Sequence, residues 1–182
     1  MRIFNRFTAR TAVPSVLVAG LALAGVQAAT QPANAASKKA ATTAACTTAH
    51  TKLTVKPVTR PINYLLLTAT NTGTKPCNAY GAPYLAAGAD AQAAVSWAEY
   101  SIPQAVVTLA PGKSAYAAIS TYTPDGVEGY KAKTLGVLFS NRAMNGSVGA
   151  EKTLKLPNGG AYFNSAATVT YWQSSIADAL FG

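Results

Sequence analysis

The chain has few side chains that could carry acid–base or nucleophilic chemistry. Its single histidine, His50, follows Cys46 by four residues, and the only other cysteine is Cys77. A Cys–His dyad would need Cys46 as a free thiolate. Because pairing of the two cysteines would consume that thiol, we expect His50 to be a surface residue of the first strand.

The acidic residues do not form an obvious catalytic pair. A glycosidase needs two carboxyl groups that face each other across the sugar, and only Asp125 and Glu128 are close in sequence. Asp125 lies in a Pro-Asp-Gly turn, where a solvated carboxylate is poorly placed to act as a general acid. The remaining acidic residues are scattered: Asp90, Glu99, Glu151 and Asp178. We therefore predict no catalytic residue, cofactor site or metal site.

The aromatic residues are better candidates for binding, since the chain has nine tyrosines and two tryptophans. Alternation along 114–122 places Ala115, Ala117 and Ile119 on one face and Tyr116 and Tyr122 on the other. With the apolar face toward the core, the tyrosines form an outward stripe. Trp172 of another strand is expected to extend it. Flat aromatic faces beside small polar residues suit sugar rings or peptide segments; the alternative is cross-strand pairing that only stabilises the sheet.

The N-terminal segment has the pattern of an export signal. Arg2, Arg6 and Arg10 precede an apolar run from Ala12 to Val26, with no acidic residue among them. The run is shorter than the roughly 20 apolar residues of a membrane-spanning helix. We expect a secreted protein with no membrane span after signal removal.

A small-x-small sequence ending at Ala35 places the predicted cleavage site after that residue, and a cut after Ala28 is the alternative. This divides the chain into a Sec-type signal peptide (1–35), a flexible Ala/Thr/Lys leader (36–45) and a single domain (46–182). The leader contains no large apolar residue that could offset its ordering entropy.

The excess of positive charge is modest and scattered. The formal net charge of +9 falls to +6 when Arg2, Arg6 and Arg10 leave with the signal. A nucleic-acid-binding protein would cluster its basic residues on one helix or stripe, so we expect no nucleic-acid partner. Weak attraction to anionic cell-wall polymers is one consequence of such a charge; a simple solvated surface is the alternative.

Short β-prone runs separated by turn residues dominate the rest of the chain. The strongest is 62–70, in which Leu65, Leu67 and Ala69 share a face. Ala110-Pro111-Gly112-Lys113 predicts the turn of a hairpin, and a weak helical period is confined to 174–180. The predicted strands are Leu53–Val55, Ile62–Thr70, Tyr84–Ala87, Ala94–Trp97, Val106–Leu109, Ser114–Tyr122, Thr134–Ser140, Lys152–Leu156 and Ala167–Trp172.

This pattern is typical of an all-β, immunoglobulin-like β-sandwich of about seven to nine short antiparallel strands. In an oxidising compartment Cys46 and Cys77 are expected to form one disulfide. It would close a loop of about thirty residues, which contributes on the order of 3–4 kcal/mol in the chain-entropy model. The alternative is two free thiols that bind a metal, although one histidine completes a poor ligand set.

Several motifs follow one another in a distinctive order. Cys46 precedes a strand that runs into Asn71-Thr72-Gly73-x-x-Pro76-Cys77, then Tyr80-Gly81-x-Pro83 and the segment Val107–Ala115. Over about residues 46–140 the chain resembles the secreted actinobacterial family called domain of unknown function 4232. The resemblance implies an exported immunoglobulin-like sandwich with a disulfide. It implies no catalytic or binding residues.

The sequence thus predicts a secreted, non-enzymatic binding module, extracellular or associated with the cell envelope. Its expected partner is a cell-wall polymer, a glycan or an extracellular protein. One alternative is a secreted hydrolase whose acidic residues meet only in the fold. Another is a secreted protease inhibitor, for which the loop 72–83 around Cys77 is the candidate.

Overall fold

The alternation of apolar and polar residues corresponds to eleven β-strands in the computed structural model, which describes residues 42–182. Three short 3₁₀ turns and one α-helix accompany them in this part of the chain. The elements are β1 (Thr51–Pro57), β2 (Tyr64–Asn71), β3 (Cys77–Ala87), β4 (Ser96–Ala98), β5 (Val107–Leu109), β6 (Ser114–Ser120), β7 (Gly129–Ala132), β8 (Thr134–Ser140), β9 (Ser147–Lys155), β10 (Ala161–Asn164), β11 (Thr168–Thr170) and α1 (Ile176–Phe181).

The N-terminal predictions fall largely outside this range. The signal peptide (1–35), its cleavage site after Ala35 and residues 36–41 of the leader lie outside the described residues. The end of the predicted leader is already ordered, because the Asn78 N–H donates to the Ala44 carbonyl at 2.8 Å. Among residues 42–182, no helix has the length and apolar character needed to cross a membrane.

Two sheets and a small ribbon make up the sandwich. The first sheet has the order β1-β2-β6-β11-β4, and the second has the order β5-β3-β8-β9. β7 and β10 pair separately as an antiparallel ribbon. The prediction of an all-β sandwich is confirmed. One pair departs from the predicted antiparallel pattern, since β11 and β4 run parallel.

The core forms where the predicted inward faces meet. Leu65, Leu67 and Ala69 of β2 are buried, as are alternate residues of the neighbouring β6. In the opposite sheet, Leu135, Val137 and Phe139 of β8 are fully buried. Burial of apolar surface between the sheets is the main stabilising contribution. The period-two patterns of β2, β6 and β8 therefore gave the correct core.

The predicted disulfide joins Cys46 to Cys77, with the two Cα atoms 4.8 Å apart and both residues buried. The bridge ties the segment before β1 to the first residue of β3. Beside it, Cys46 N–H donates to the Asn78 carbonyl at 2.9 Å. The metal-binding alternative for these two residues is therefore wrong.

The predicted hairpin across Pro111 and Gly112 is not formed, although its turn is present. β5 pairs with β3 in the second sheet, whereas β6 pairs with β2 and β11 in the first. The turn thus carries the chain from one sheet to the other. Asn71 holds it there, because Gly112 N–H donates to the Asn71 carbonyl and Asn71 N–H donates to the Lys113 carbonyl.

Candidate binding cleft

The predicted aromatic stripe does not include Trp172. This residue is fully buried and its ring stacks on Phe139, with centroids 5.3 Å apart and planes 18° from parallel. β11 ends at Thr170, and the Trp172 N–H then donates to the Gly81 carbonyl of the opposite sheet. Strand alternation therefore stops before Trp172, and the prediction of an exposed ring at that position is wrong.

Tyr116 and Tyr122 do not form one platform either. Tyr116 is half-buried and exchanges two backbone hydrogen bonds with Gln173, at 2.9 and 2.8 Å. The next outward residues of β6, Ala118 and Ser120, are buried. The stripe is thus interrupted, and Tyr122 has a different set of neighbours.

Tyr122 lines a cleft of about 520 Å³ together with Tyr64 and Tyr162. The rings of Tyr122 and Tyr162 meet edge to face, with centroids 5.7 Å apart and an interplanar angle of 66°. Both remain accessible, with 37% and 49% of their surface exposed. The cleft therefore presents aromatic surface to solvent, as the sequence predicted for Tyr122, with partners that periodicity alone did not identify.

The segment between β1 and β2 positions Tyr64. It closes with a hydrogen bond from Val58 N–H to the Tyr64 carbonyl at 3.2 Å. The backbone N–H and the hydroxyl of Thr121 both donate to the Asn63 carbonyl, at 2.9 and 3.0 Å. Asn63 itself has a left-handed backbone with φ of 62°, a conformation that asparagine tolerates better than most residues. These bonds attach the start of β2 to the segment that carries Tyr122.

The β7–β10 ribbon positions Tyr162, and two glycines make room for it. A Cβ at Gly129 would lie 2.5 Å from Cζ of the Tyr162 ring, so the ring packs directly on the Gly129 backbone. Gly160, which lines the cleft, has φ of +122°, and a Cβ there would lie 2.4 Å from the Ala132 carbonyl oxygen. Gly160 therefore requires the absence of a side chain, whereas a side chain at Gly129 would have to displace the Tyr162 ring.

No residue that lines the cleft is charged. Its polar groups include the side chains of Asn63, Thr121 and Asn158, which can donate and accept hydrogen bonds. A fourth tyrosine, Tyr100, lies beside Tyr64 and is 71% exposed; partial desolvation, followed by the neighbouring Tyr64 phenol, raises the pKa of Tyr100 above its usual value. A concave site with aromatic walls and a few neutral polar groups is suited to a small uncharged surface such as a sugar ring.

All the cleft residues lie within the part of the chain that matches a known family. The family model called Domain of unknown function (DUF4232) matches residues 46–173. The chain belongs to this family. The match includes β11 and Trp172, and so extends well beyond the predicted limit near residue 140. No curated protein and no solved structure matches the chain.

The histidine, cysteine and acidic residues considered as catalytic or metal-binding candidates do not form a site in this DUF4232 domain. His50 is exposed, as expected, but it lies in the 3₁₀ turn before β1 and not in the strand. Because Cys46 is in the disulfide, a Cys–His dyad is excluded. Asp125 and Glu128 are exposed, and neither lines the cleft. Over residues 42–182, no three His, Cys, Asp or Glu side chains come close enough to hold a metal ion.

The candidate inhibitor loop 72–83 is mostly a strand of the DUF4232 domain. β3 begins at Cys77, and Tyr80, Ala82 and Pro83 are buried in it. Only 72–76 forms a turn with an exposed surface beside the disulfide. The prediction of a rigid exposed loop over 72–83 is therefore wrong.

Proposed function

We propose that this protein is a secreted, non-enzymatic binding module of the extracellular space or cell envelope, and that its tyrosine cleft binds sugar rings. The observation that carries the proposal is the meeting of Tyr64, Tyr122 and Tyr162 in one open, uncharged cleft. Aromatic faces bury the C–H surface of a sugar, while Asn63 and Asn158 can hydrogen-bond to its hydroxyl groups.

The rigidity of the site supports ligand binding. Tyr162 is fixed on the Gly129 backbone, and the Asn63 carbonyl is held by two hydrogen bonds from Thr121. A preorganised site loses little conformational entropy when a ligand enters. The cleft also contains no carboxylate, histidine or thiol that could act as a general acid, base or nucleophile.

Secretion is supported by the basic and apolar pattern of the first thirty-five residues and by the disulfide between Cys46 and Cys77. Disulfides persist in oxidising compartments outside the cytosol. A cell-wall glycan or a soluble extracellular glycan is then the expected partner.

The test is capture of ligands by residues 36–182 from the producing organism's cell-wall fraction and culture supernatant, at low and high salt. The informative variants are Tyr122→Ala and Tyr162→Ala. Tyr130→Ala is the matched control, because Tyr130 belongs to the same ribbon and is 50% exposed, but does not line the cleft.

Retention of a glycan at high salt by wild type and Tyr130→Ala, but not by the two cleft variants, would support the proposal. Equal retention by all variants, or loss of all binding in salt, would contradict it. A protease-sensitive partner would instead indicate that the cleft binds a peptide segment, since aromatic-lined grooves also bind extended peptides.

A further inference from the structure

One lysine reaches the wall of the tyrosine cleft from the β7–β10 ribbon. Lys131 pairs directly with Tyr162 across the two strands, and residues opposite each other in an antiparallel pair share a face of the sheet. Lys131 Cε lies 3.2 Å from the position that a Cβ at Gly160 would occupy. Lys131 is exposed and is not itself a lining residue, but Gly160 is, so we place the end of the Lys131 side chain at the rim of the cleft.

A second basic residue approaches from the first sheet. Lys56 lies opposite Leu66 in the β1–β2 pair. It is therefore on the same outward face as Tyr64, two residues before Leu66. The next residue, Pro57, lines the cleft. Positive charge thus approaches the cleft from two of its sides, while the cleft itself is uncharged.

The acidic residues nearest in sequence lie toward the other end of the ribbon. Asp125 and Glu128 precede β7, in a loop that is tied to Ser165 by a hydrogen bond from Val127 N–H to Ser165 Oγ at 3.0 Å. Ser165 follows the last residue of β10, whereas Gly160 precedes its first residue. Neither acidic residue lines the cleft, and Lys131 is exposed, so a ligand in the cleft can reach it from solvent.

We propose that the sugar bound in this cleft carries a negative charge, as a ring carboxylate or phosphate, and that Lys131 selects it. This inference rests on the proposed function of the cleft. The uncharged rings and amides bind the body of the sugar, and the ammonium group at the rim forms an ion pair with its anionic substituent. An uncharged sugar of the same size makes the first set of contacts only.

Gly160 provides the access that Lys131 needs. A side chain at this position would occupy the space beside Lys131 Cε and would also contact the Ala132 carbonyl. The left-handed turn at Asn158 and Gly159, with φ of 54° and 71°, brings Gly160 to this place. This turn therefore shapes the cleft wall and also leaves the space beside Gly160 free for the Lys131 side chain.

The test compares matched charged and uncharged probes by calorimetry or by NMR titration. The pairs are a hyaluronan tetrasaccharide against chitotetraose, and N-acetylglucosamine 6-phosphate against N-acetylglucosamine. The variants are Lys131→Met, which keeps most of the aliphatic chain, and Lys113→Met. Lys113 is exposed at the Asn71 end of β2, away from Tyr64, so the second variant has the same net charge change at a distant site.

We expect at least one charged probe to bind wild type about two- to fivefold more tightly than its uncharged partner, the gain typical of an exposed ion pair. In Lys131→Met that ratio should fall to about one, with the affinity of the uncharged probe unchanged. Lys113→Met should behave as wild type. Added salt should reduce the ratio, because it screens an exposed pair.

Three outcomes would overturn the inference. In the first, wild type binds both members of each pair equally and Tyr162→Ala binds neither. This result would leave the sugar-binding function intact but remove the selectivity. A preference that persists in Lys131→Met would assign it to another basic group such as Lys56, and one that disappears equally in Lys113→Met would assign it to overall charge. Binding of no probe at the cleft would also reject the inference, while capture from the wall fraction decides the proposed function separately.

Discussion

The Tyr162 ring lies on the backbone of Gly129, so close that a Cβ there would be 2.5 Å from the ring Cζ and hydroxyl oxygen. The contact joins neighbouring strands of a two-stranded ribbon that contributes one wall of the cleft. An aromatic ring packed over a glycine compensates for the missing side chain in the strand. Tyr162 is also partly exposed, so a group added at position 129 would push its ring toward solvent and not into the core.

Gly129→Ala should therefore alter the cleft more than it alters stability. The new methyl group displaces the far end of an exposed ring rather than backbone, so we expect a loss of less than about 1 kcal/mol in the free energy of unfolding. Ligand capture should fall as strongly as in Tyr162→Ala. Urea unfolding and the capture assay measure the two effects. Gly146→Ala, in an exposed loop, is the control, and unchanged capture by Gly129→Ala would show that the ring position is unimportant.

Asn71 holds three parts of the structure together, and its loss should be costly. Its side-chain Nδ2 donates to the carbonyls of Lys75 and Leu109, at 2.9 and 2.8 Å, while Oδ1 accepts from Gly73 N–H at 2.8 Å. Because the residue is 2% exposed, Asn71→Ala should destabilise the fold by about 2–4 kcal/mol through buried groups left without partners.

Chemical denaturation of Asn71→Ala and Asn71→Asp measures this contribution. Asn71→Asp keeps the acceptor for Gly73 but loses both donated bonds, so it should also be destabilised. The exposed Asn145 is the control, and Asn145→Ala should stay within about 0.5 kcal/mol of wild type. A wild-type midpoint for Asn71→Asp would show that the donated bonds contribute nothing.

Trp172 should stabilise the fold through the volume of its ring and not through a hydrogen bond from its indole N–H. The ring is fully buried against Phe139, and its Nε1 has no hydrogen-bond partner among the described residues. Trp172→Ala should cost about 3–5 kcal/mol because it leaves a large cavity. Trp172→Phe should cost on the order of 1–2 kcal/mol, since a stacked ring remains and no partner is orphaned. Equal unfolding midpoints for the two variants would contradict this explanation.

The raised pKa of Tyr171 predicts that the folded protein loses stability at alkaline pH. Burial, followed by the hydrogen bond to Glu99, raises the pKa of Tyr171 above its usual value. The phenol donates to Glu99 Oε2 at 3.1 Å. A raised pKa in the folded state means that the native protein holds this proton more tightly than the unfolded chain. The contribution is therefore fully present below the unfolded pKa of about 10 and is lost as the pH rises through the folded value.

The measurement is the free energy of unfolding of wild type and Tyr171→Phe between pH 8 and about pH 11. The difference between the two proteins should shrink or reverse at the alkaline end, because Phe cannot ionise. Lysines titrate in the same range in both proteins and cancel in the comparison. Parallel curves for wild type and variant would reject the role of Tyr171.

The strands and the core could be predicted from the sequence wherever one face of a strand is uniformly apolar. Leu65, Leu67 and Ala69 alternate with half-buried residues in β2, so period-two patterning identified their burial. The disulfide followed from the presence of only two cysteines in a chain whose N-terminal pattern predicts export. β7 and β10 were missed because they are only four residues long and because β7 is mostly exposed, which leaves little apolar pattern to detect.

The cleft was only partly predictable. Exposure of Tyr122 follows from alternation within one strand, but its neighbours Tyr64 and Tyr162 come from distant strands. The three tyrosines lie close together because of the Gly129 contact and the turn before Gly160. Neither feature can be predicted from local periodicity. The errors at Trp172 and at the Pro111–Gly112 turn have a common cause. In both places the chain leaves a regular strand: it crosses between the sheets at Pro111–Gly112, and after Thr170 it bonds to the second sheet at Trp172 and to the first at Gln173. Strand alternation no longer predicts which way a side chain points there.

The position of β11 has a consequence for the order of events in folding. Thr168–Thr170 lies between β6 and β4 in the first sheet, and Trp172, two residues later, fills the centre of the core. The first sheet is therefore complete only when a segment close to the C-terminus has joined it. The contacts of β11 join residues far apart in sequence, and contacts of this kind slow folding. We therefore expect a chain that lacks β11 to remain unfolded, because its first sheet would be missing an internal strand and its core would be missing the Trp172 ring.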